Sequence, residues 1–263
     1  MANSRIQWTR SDLLVAFALY CRTPFGKMHS RNPEIIRLAS VLGRTPSSLA
    51  MKLVNFASLD PAITANGRRG LSGASKGDRA IWQEFHSDWE GLAVESDKVL
   101  DMLAQEAGLV IPADEPEIEE LLPNYEGATK RVLTEVRLKQ SFFRKAVLSS
   151  YLGRCCISQL AEPRLLIASH IVPWGKDKAN RLNPRNGLCL SALHDRAFDF
   201  GLITISQDYR VLVSNRLKKQ TNDAFMVSTI LKTENQKIHL PEKFVPDLAF
   251  LEWHSANLFA ANQ

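Results

Sequence analysis

Ser169-His170-Ile171-Val172-Pro173-Trp174 closes an apolar run, Asn183-Pro184-Arg185-Asn186-Gly187-Leu188 follows it, and His194-Asp195-Arg196-Ala197-Phe198-Asp199 comes next. These three pieces decide the fold of the C-terminal half. Leu165 to Val172 is nearly all apolar, as in a strand buried on both faces. Gly187 to Leu190 reads as a second short strand, and His194 falls on a short helix. A His thus ends one strand, an Asn sits in the connection, and a second His opens the helix. One imidazole can take a proton from water and the other can hold a divalent metal against a phosphate, a pairing suited to phosphodiester hydrolysis.

Outward from this core, Leu202 to Ser206 and Arg210 to Ser214 read as a hairpin across Gln207-Asp208-Tyr209. Upstream, Arg131 to Leu152 reads as one long helix, with Val132, Val136, Phe143, Val147 and Tyr151 spaced to bury one side. Pro246 opens a last helix through Leu251, Trp253 and Leu258. The N-terminal segment reads as helical throughout. Leu13, Leu14, Phe17 and Leu19 fill an early helix, and Glu34 to Leu42 forms a second between Asn32-Pro33 and Gly43. Thr45 caps a third whose first turn holds Pro46, with Leu49, Leu53 and Phe56 as its apolar stripe. Asp78 to Leu92 is read as a further single helix carrying Ile81, Trp82, Phe85 and Trp89. Prolines at 112, 116 and 123 lie in an acidic linker. The expected division is 1–110, a helical domain; 111–128, the linker; and 129–263, the second domain, with its core at 153–214.

Charge is unevenly placed. The chain carries a net +5, yet residues 111–128 hold six acids and no Lys or Arg. From residue 129 onward, 20 Lys and Arg face 11 Asp and Glu. A basic half suits a polyanionic partner such as nucleic acid. No uninterrupted apolar stretch approaches the eighteen or so residues of a membrane span, and the first residues lack the apolar core of a signal peptide. Cys21, Cys155, Cys156 and Cys189 do not form a disulfide pattern in a chain this long, so reduced thiols and a cytoplasmic setting are expected.

Taken together, the three pieces resemble the HNH endonucleases, in which a β-hairpin packs on a helix with one metal ion between them. The likeness is to the restriction-endonuclease subgroup, whose Cys, Ser-His-Ile-x-Pro-Trp, Asn-Pro-x-Asn-Gly-Leu and Leu-His-Asp-Arg-Ala-Phe-Asp-x-Gly-Leu runs appear in order from Cys156 to about Ser214. Phe142-Phe143-Arg144 and Trp253-His254 extend it more loosely. The expected architecture is α+β: the apolar spacing gives an all-helical N-terminal domain with a helix-turn-helix-like segment, and the resemblance implies a ββα-metal HNH domain after it, with flanking helices and an extra hairpin.

It also implies roles. His170 matches the general base, and Asn186 the loop residue whose amide bridges backbone groups and holds His170. His194 matches the metal-binding helix residue, and Arg196 can grip the same phosphate or pair with Asp199. Asp199 is a weak metal candidate, about 140° around the helix from His194. Many HNH enzymes place a second metal ligand just before the base. Here that residue is Ser169, a poor donor for a hard cation, with Asp177 as a helper. Many also carry two Cys-x-x-Cys pairs around a structural zinc. Cys156 is followed by Gln159, and Leu190 and Leu193 stand where the second pair would fall. Apolar packing is expected in place of zinc, with Cys155-Cys156 as buried small side chains. The implied cofactor is one divalent metal ion, Mg2+ first and Mn2+, Ni2+ or Co2+ as alternatives, with no structural zinc.

Asn32 to Ser58 has a helix-turn-helix layout. With Leu49, Leu53 and Phe56 inward, Ser47, Ser48, Lys52 and Asn55 are expected to face solvent and DNA. The Gly-rich loop at residues 66–77 adds Arg68, Arg69 and Lys76, which either clamp phosphate or sit on a plain surface loop. Trp82 and Trp89 are expected to pack in the core. The functional expectation is a divalent-metal-dependent endonuclease of double-stranded DNA that restricts foreign, including modified, DNA, with a homodimer left open. The alternatives are a homing or repair nuclease, and a helix-turn-helix regulator with an inactive nuclease domain.

Overall fold

The computed structural model describes residues 7–65, 73–109, 130–219 and 222–262. Arg68, Arg69 and the acidic linker lie outside the described residues. The architecture mixes helix and sheet, and the chain divides into two compact units, Met1–Phe142 and Phe143–Gln263. Among the described residues no helix is long and apolar enough to cross a membrane.

The first unit is built around α1 (Arg10–Arg22), which Thr9 and Asp12 open with a reciprocal capping box. Every residue from Leu13 to Cys21 is buried, so this helix is apolar all round and must be surrounded. Its neighbours include α3 (Pro46–Ala57), which follows α2 (Pro33–Val41), and, beyond α4 (Pro61–Ala65), α5 (Lys76–Ser87) and α6 (Trp89–Glu106). Phe17 sits at the centre, its ring 5.1 Å from that of Phe56 and 4.4 Å from that of Phe85, with Trp82 and Trp89 closing the cluster. Asn32 and Thr45 cap α2 and α3, and Gly43 between them adopts φ +58, a left-handed turn suited to glycine.

Two expectations for this unit need correction. Asp78 to Leu92 is not one helix. Asp88 leaves helical geometry (φ −150, ψ 80), and its carboxylate accepts the Gly91 N–H at 2.8 Å, so it ends α5 and caps α6. Nor does Lys52 face solvent. It is 7% exposed, its Nζ lies 2.7 Å from Asp78 Oδ1, and it sits 4.9 Å from the Trp8 ring centroid. The reason is angular: three residues beyond Leu49, Lys52 lies only about 60° from the buried stripe, and the buried Asp78 needs a counter-charge there.

The second unit begins within α7 (Lys130–Ser150), whose Phe143, Ala146, Val147 and Ser150 are buried. Strands β1 (Leu166–His170) and β2 (Gly187–Ser191) pair antiparallel, from Leu166 opposite Ser191 to His170 opposite Gly187. The long apolar run therefore yields only a five-residue strand. Leu166 and Ser169 are buried while Ile167, Ala168 and His170 are partly exposed, which corrects the expectation of burial on both faces. A Cβ at Gly187 would collide with Val147 and come 2.9 Å from Phe143 Cζ, so the α7 side chains seat directly on the hairpin. Helix α8 (Ala192–Asp199) follows β2 without a break and packs on both strands. It ends at Gly201 (φ +62), where a Cβ would run into the Leu258 carbonyl. A second hairpin, β3 (Ile203–Ile205) and β4 (Val211–Val213), precedes α9 (Asn215–Lys218) and α10 (Ala224–Thr229). The last helix, α11 (Leu248–His254), runs on into tighter and wider turns up to Asn262.

Candidate active site

The end of β1 places His170 at the mouth of the long connection to β2. Its ring stacks on Phe143, centroids 3.8 Å apart and planes 10° off parallel, and meets the edge of Trp174 at 5.5 Å. Trp174 in turn lies under the Arg181 guanidinium at 5.1 Å. His170 Nε2 is 2.9 Å from the Arg181 carbonyl oxygen. A carbonyl can only accept, so Nε2 carries the proton and Nδ1 keeps its lone pair. Among the described residues Nδ1 has no hydrogen-bond partner. Burial lowers the imidazole pKa to about 4, against the opposing pull of the Arg181 bond. At neutral pH the ring is therefore uncharged, with one nitrogen ready to take a proton.

The connection is held by a relay of side chains. Asn186 is fully buried; its Oδ1 accepts from the Val172 N–H (2.8 Å), and its Nδ2 donates to the carbonyls of Val172 (3.1 Å) and Asn180 (3.3 Å). The Asn186 carbonyl accepts from Ile171 N–H at 2.9 Å. One amide thus ties the residues just after His170 to the residues just before β2. Asp177 organises the next stretch, accepting from the backbone of Ala179 and Asn180 and from Asn180 Nδ2 (2.8 Å). Both of its oxygens are committed to the loop. The Phe143 stack and the Arg181 carbonyl carry no sequence signal beyond the Phe142-Phe143-Arg144 likeness, because each depends on tertiary placement.

His194 stands elsewhere. It is 3% exposed, with Nδ1 2.8 Å from Ser191 Oγ and 3.6 Å from Cys155 Sγ, and Nε2 3.3 Å from the Thr229 carbonyl. Ser191 pairs with Leu166, four residues along the hairpin from the His170–Gly187 pair, or roughly 13 Å along the strand. The structure therefore gathers His170 with Asn186 at one end, and His194 with Ser191 and Cys155 at the other. The Ser158 N–H also reaches Cys155 Sγ at 3.4 Å. Cys155-x-x-Ser158 is thereby joined to Ser191-x-x-His194 by polar contacts, where packing of apolar side chains alone was expected. Cys156 keeps the expected character: fully buried, with burial pushing its thiol pKa well up.

The remaining site residues are scattered. Arg196 is exposed and lies over the Phe200 ring at 4.5 Å. Burial raises the Asp199 carboxyl, opposed by Arg196. In the first unit Ser48 and Asn55 are half-buried on α3 and Lys76 is exposed at the start of α5. His254, near the C-terminus, is a core residue. It stacks on Phe198 at 3.6 Å, donates from Nε2 to the Phe198 carbonyl (3.0 Å) and faces Thr204 Oγ1 at 2.9 Å.

Residues 155–206 match the family described as HNH endonuclease, a span from Cys155 through β1, β2, α8 and β3. No curated protein matches the chain. HNH nucleases generally use a divalent metal ion. Ser169 Oγ is buried without a partner beside His170, an available oxygen donor. One hydroxyl is not a site for a hard cation, both His194 nitrogens are engaged, and among the described residues no group of three His, Cys, Asp or Glu is placed to hold an ion. The donors present do not fit a pre-built ion cage.

Proposed function

With an HNH endonuclease domain at residues 155–206, and therefore a nuclease domain acting on DNA, we propose that the chain is a cytoplasmic restriction enzyme cutting foreign, including modified, double-stranded DNA. The observation that carries the reading is His170: an uncharged imidazole whose Nε2 is locked to the Arg181 carbonyl and whose Nδ1 is left to accept a proton. In the proposed reaction water attacks the scissile phosphorus, its proton passes to His170 Nδ1, and the 3′ oxygen leaves. Asn186 does not touch substrate; it keeps the Arg181 segment and His170 in register. Arg196, exposed on α8, is proposed to grip phosphate. The helical segment before residue 111 is proposed to supply discrimination, through Ser48 and Asn55 on α3 and Lys76 at the start of α5. Arg68 and Arg69 remain part of that proposal from sequence alone. Lys52, spent on Asp78, leaves that set.

The test is incubation of the purified chain with modified and unmodified phage DNA and a divalent cation, Mg2+ first, followed by mapping of the ends. Cleavage that EDTA stops and that His170→Ala abolishes while DNA binding persists is the expected result; general bases contribute about 10²–10⁴-fold. Nicking of supercoiled plasmid by His170→Ala at the wild-type rate refutes the assignment. The engagement of both His194 nitrogens favours a second reading, a DNA-binding regulator whose nuclease domain is inactive. Site-selective binding without cleavage under any divalent ion would establish it.

A further inference from the structure

The second unit carries an open groove of about 530 Å³ lined by Asn215, Arg216, Lys218, Lys219 and Asn262. Of the five described residues that line it, three are cations and two are amides; Asn262 spends both Nδ2 hydrogens within the chain, and the other four can donate to an oxygen. Lys218 is paired with Glu234 at 3.0 Å, whereas Arg216 and Lys219 have no carboxylate partner among the described residues. Asn215, Arg216, Lys218 and Lys219 are all exposed.

The groove is continuous with the nuclease helix. Asn262 Nδ2 donates to the Phe200 carbonyl (3.0 Å) and to the Leu258 carbonyl (3.2 Å), which fixes this wall to the C-terminal end of α8. Phe200, 56% exposed, carries the Arg196 guanidinium on its ring. Asn262 and Phe200 thus link the groove wall to Arg196 on α8.

We propose that this groove is a phosphate-backbone clamp, holding the strand of duplex DNA that flanks the scissile site. The partner follows from charge and donor complementarity with a polyanion of evenly spaced oxygens, and from the junction with α8; the proposal rests on the nuclease reading above. Such contacts set register and affinity and carry no sequence information. The clamp is separate from His170, so losing it weakens DNA binding and leaves the chemistry of bound DNA unchanged.

The experiment compares the full chain with Arg216→Gln/Lys219→Gln on a 30-base-pair duplex at 50 and 200 mM salt, with cleavage measured at saturating DNA. Each phosphate contact contributes roughly 0.9 to the slope of log affinity against log salt. Removing two makes the fourfold salt step cost about twelvefold less affinity than in the wild type. The expected result is that smaller salt dependence and weaker binding at low salt, with cleavage of saturated DNA and melting temperature unchanged. The charge-keeping pair Arg216→Lys/Lys219→Arg keeps the wild-type slope. If the glutamine variant binds with wild-type affinity and salt slope while the wild type cleaves, the clamp is refuted and the nuclease reading stands. If the glutamine variant shows the expected drop in salt slope but the wild type never cleaves, the clamp stands and the nuclease reading falls. If the wild type binds no duplex, both fall.

Discussion

In the proposed mechanism the cover on His170 sets the acid limb of the cleavage profile. The proposed base works only when neutral, so kcat/KM is expected to fall as pH drops through its pKa, which burial lowers from an ordinary 6.5 to about 4. The cover is the Phe143 ring, 3.8 Å above the imidazole. Phe143→Ala opens that face to water and moves the limb upward, towards 6.5 as the limit. At pH 5 a base of pKa 4 is about 90% neutral and one of pKa 6.5 about 3% neutral, so the variant loses up to about 30-fold in activity at pH 5 relative to pH 8, where both are neutral. Wild-type activity is flat across the same interval. Stability follows with the same sign. A His whose folded pKa is depressed stabilises the fold fully above pH 6.5, and that contribution is lost as pH falls from 6.5 to 4; His254, also lowered to about 4, adds to it. The assay is supercoiled plasmid nicking from pH 4.5 to 8.5, run below the melting transition because the truncation itself costs about 3–5 kcal/mol. Phe143→Leu, which keeps part of the cover, falls between the two. An acid limb near 6.5 in the wild type, or an unmoved limb in Phe143→Ala, refutes the reasoning.

Three further outcomes follow from the same geometry. Asn186→Ala strands the Val172 N–H and two carbonyls inside a closed loop, at about 1–3 kcal/mol for each group left unpaired, so thermal melting shows a large loss and residual cleavage drops with DNA affinity retained. Gly187→Ala places a methyl group against Val147 and Phe143; overpacking costs about 1–3 kcal/mol, and displacement of Phe143 lowers the cleavage rate as well, so a variant with wild-type melting and nicking would contradict the packing. Lys52→Ala leaves the fully buried Asp78 without its counter-charge and destabilises the first unit by about 3–5 kcal/mol in denaturant titration, whereas a surface DNA-contacting lysine would alter binding and spare stability.

Much of the fold was legible because it is written in local chemistry. Asn32-Pro33 and Thr45-Pro46 announce two helix starts, and both residues cap as their side chains allow. The strand–loop–strand–helix order around His170, Asn186 and His194 was legible from three short motifs, since each is a run of adjacent residues. The break at Asp88 was hidden in a helical apolar pattern that continues on both sides of it, because a capping carboxylate competes with the helix only when the following chain turns to meet it.

The residues by themselves determined which side chains bear chemistry and in what order: a basic half, a His closing a strand, an Asn before the return strand, a His in the first turn of a helix. Only the tertiary structure decided which of them are free to act. His170 keeps an open nitrogen because Arg181, eleven residues away, turns its carbonyl to Nε2 and Phe143 covers the ring. His194 has both nitrogens engaged because β2 delivers it to Ser191, Cys155 and the Thr229 carbonyl. Lys52 is spent because Asp78, twenty-six residues on, is buried beside it. The physical reason is common to all three. Residue type sets what a group can donate, accept or carry, but whether it is available depends on partners brought near by packing, and those partners lie far away along the chain.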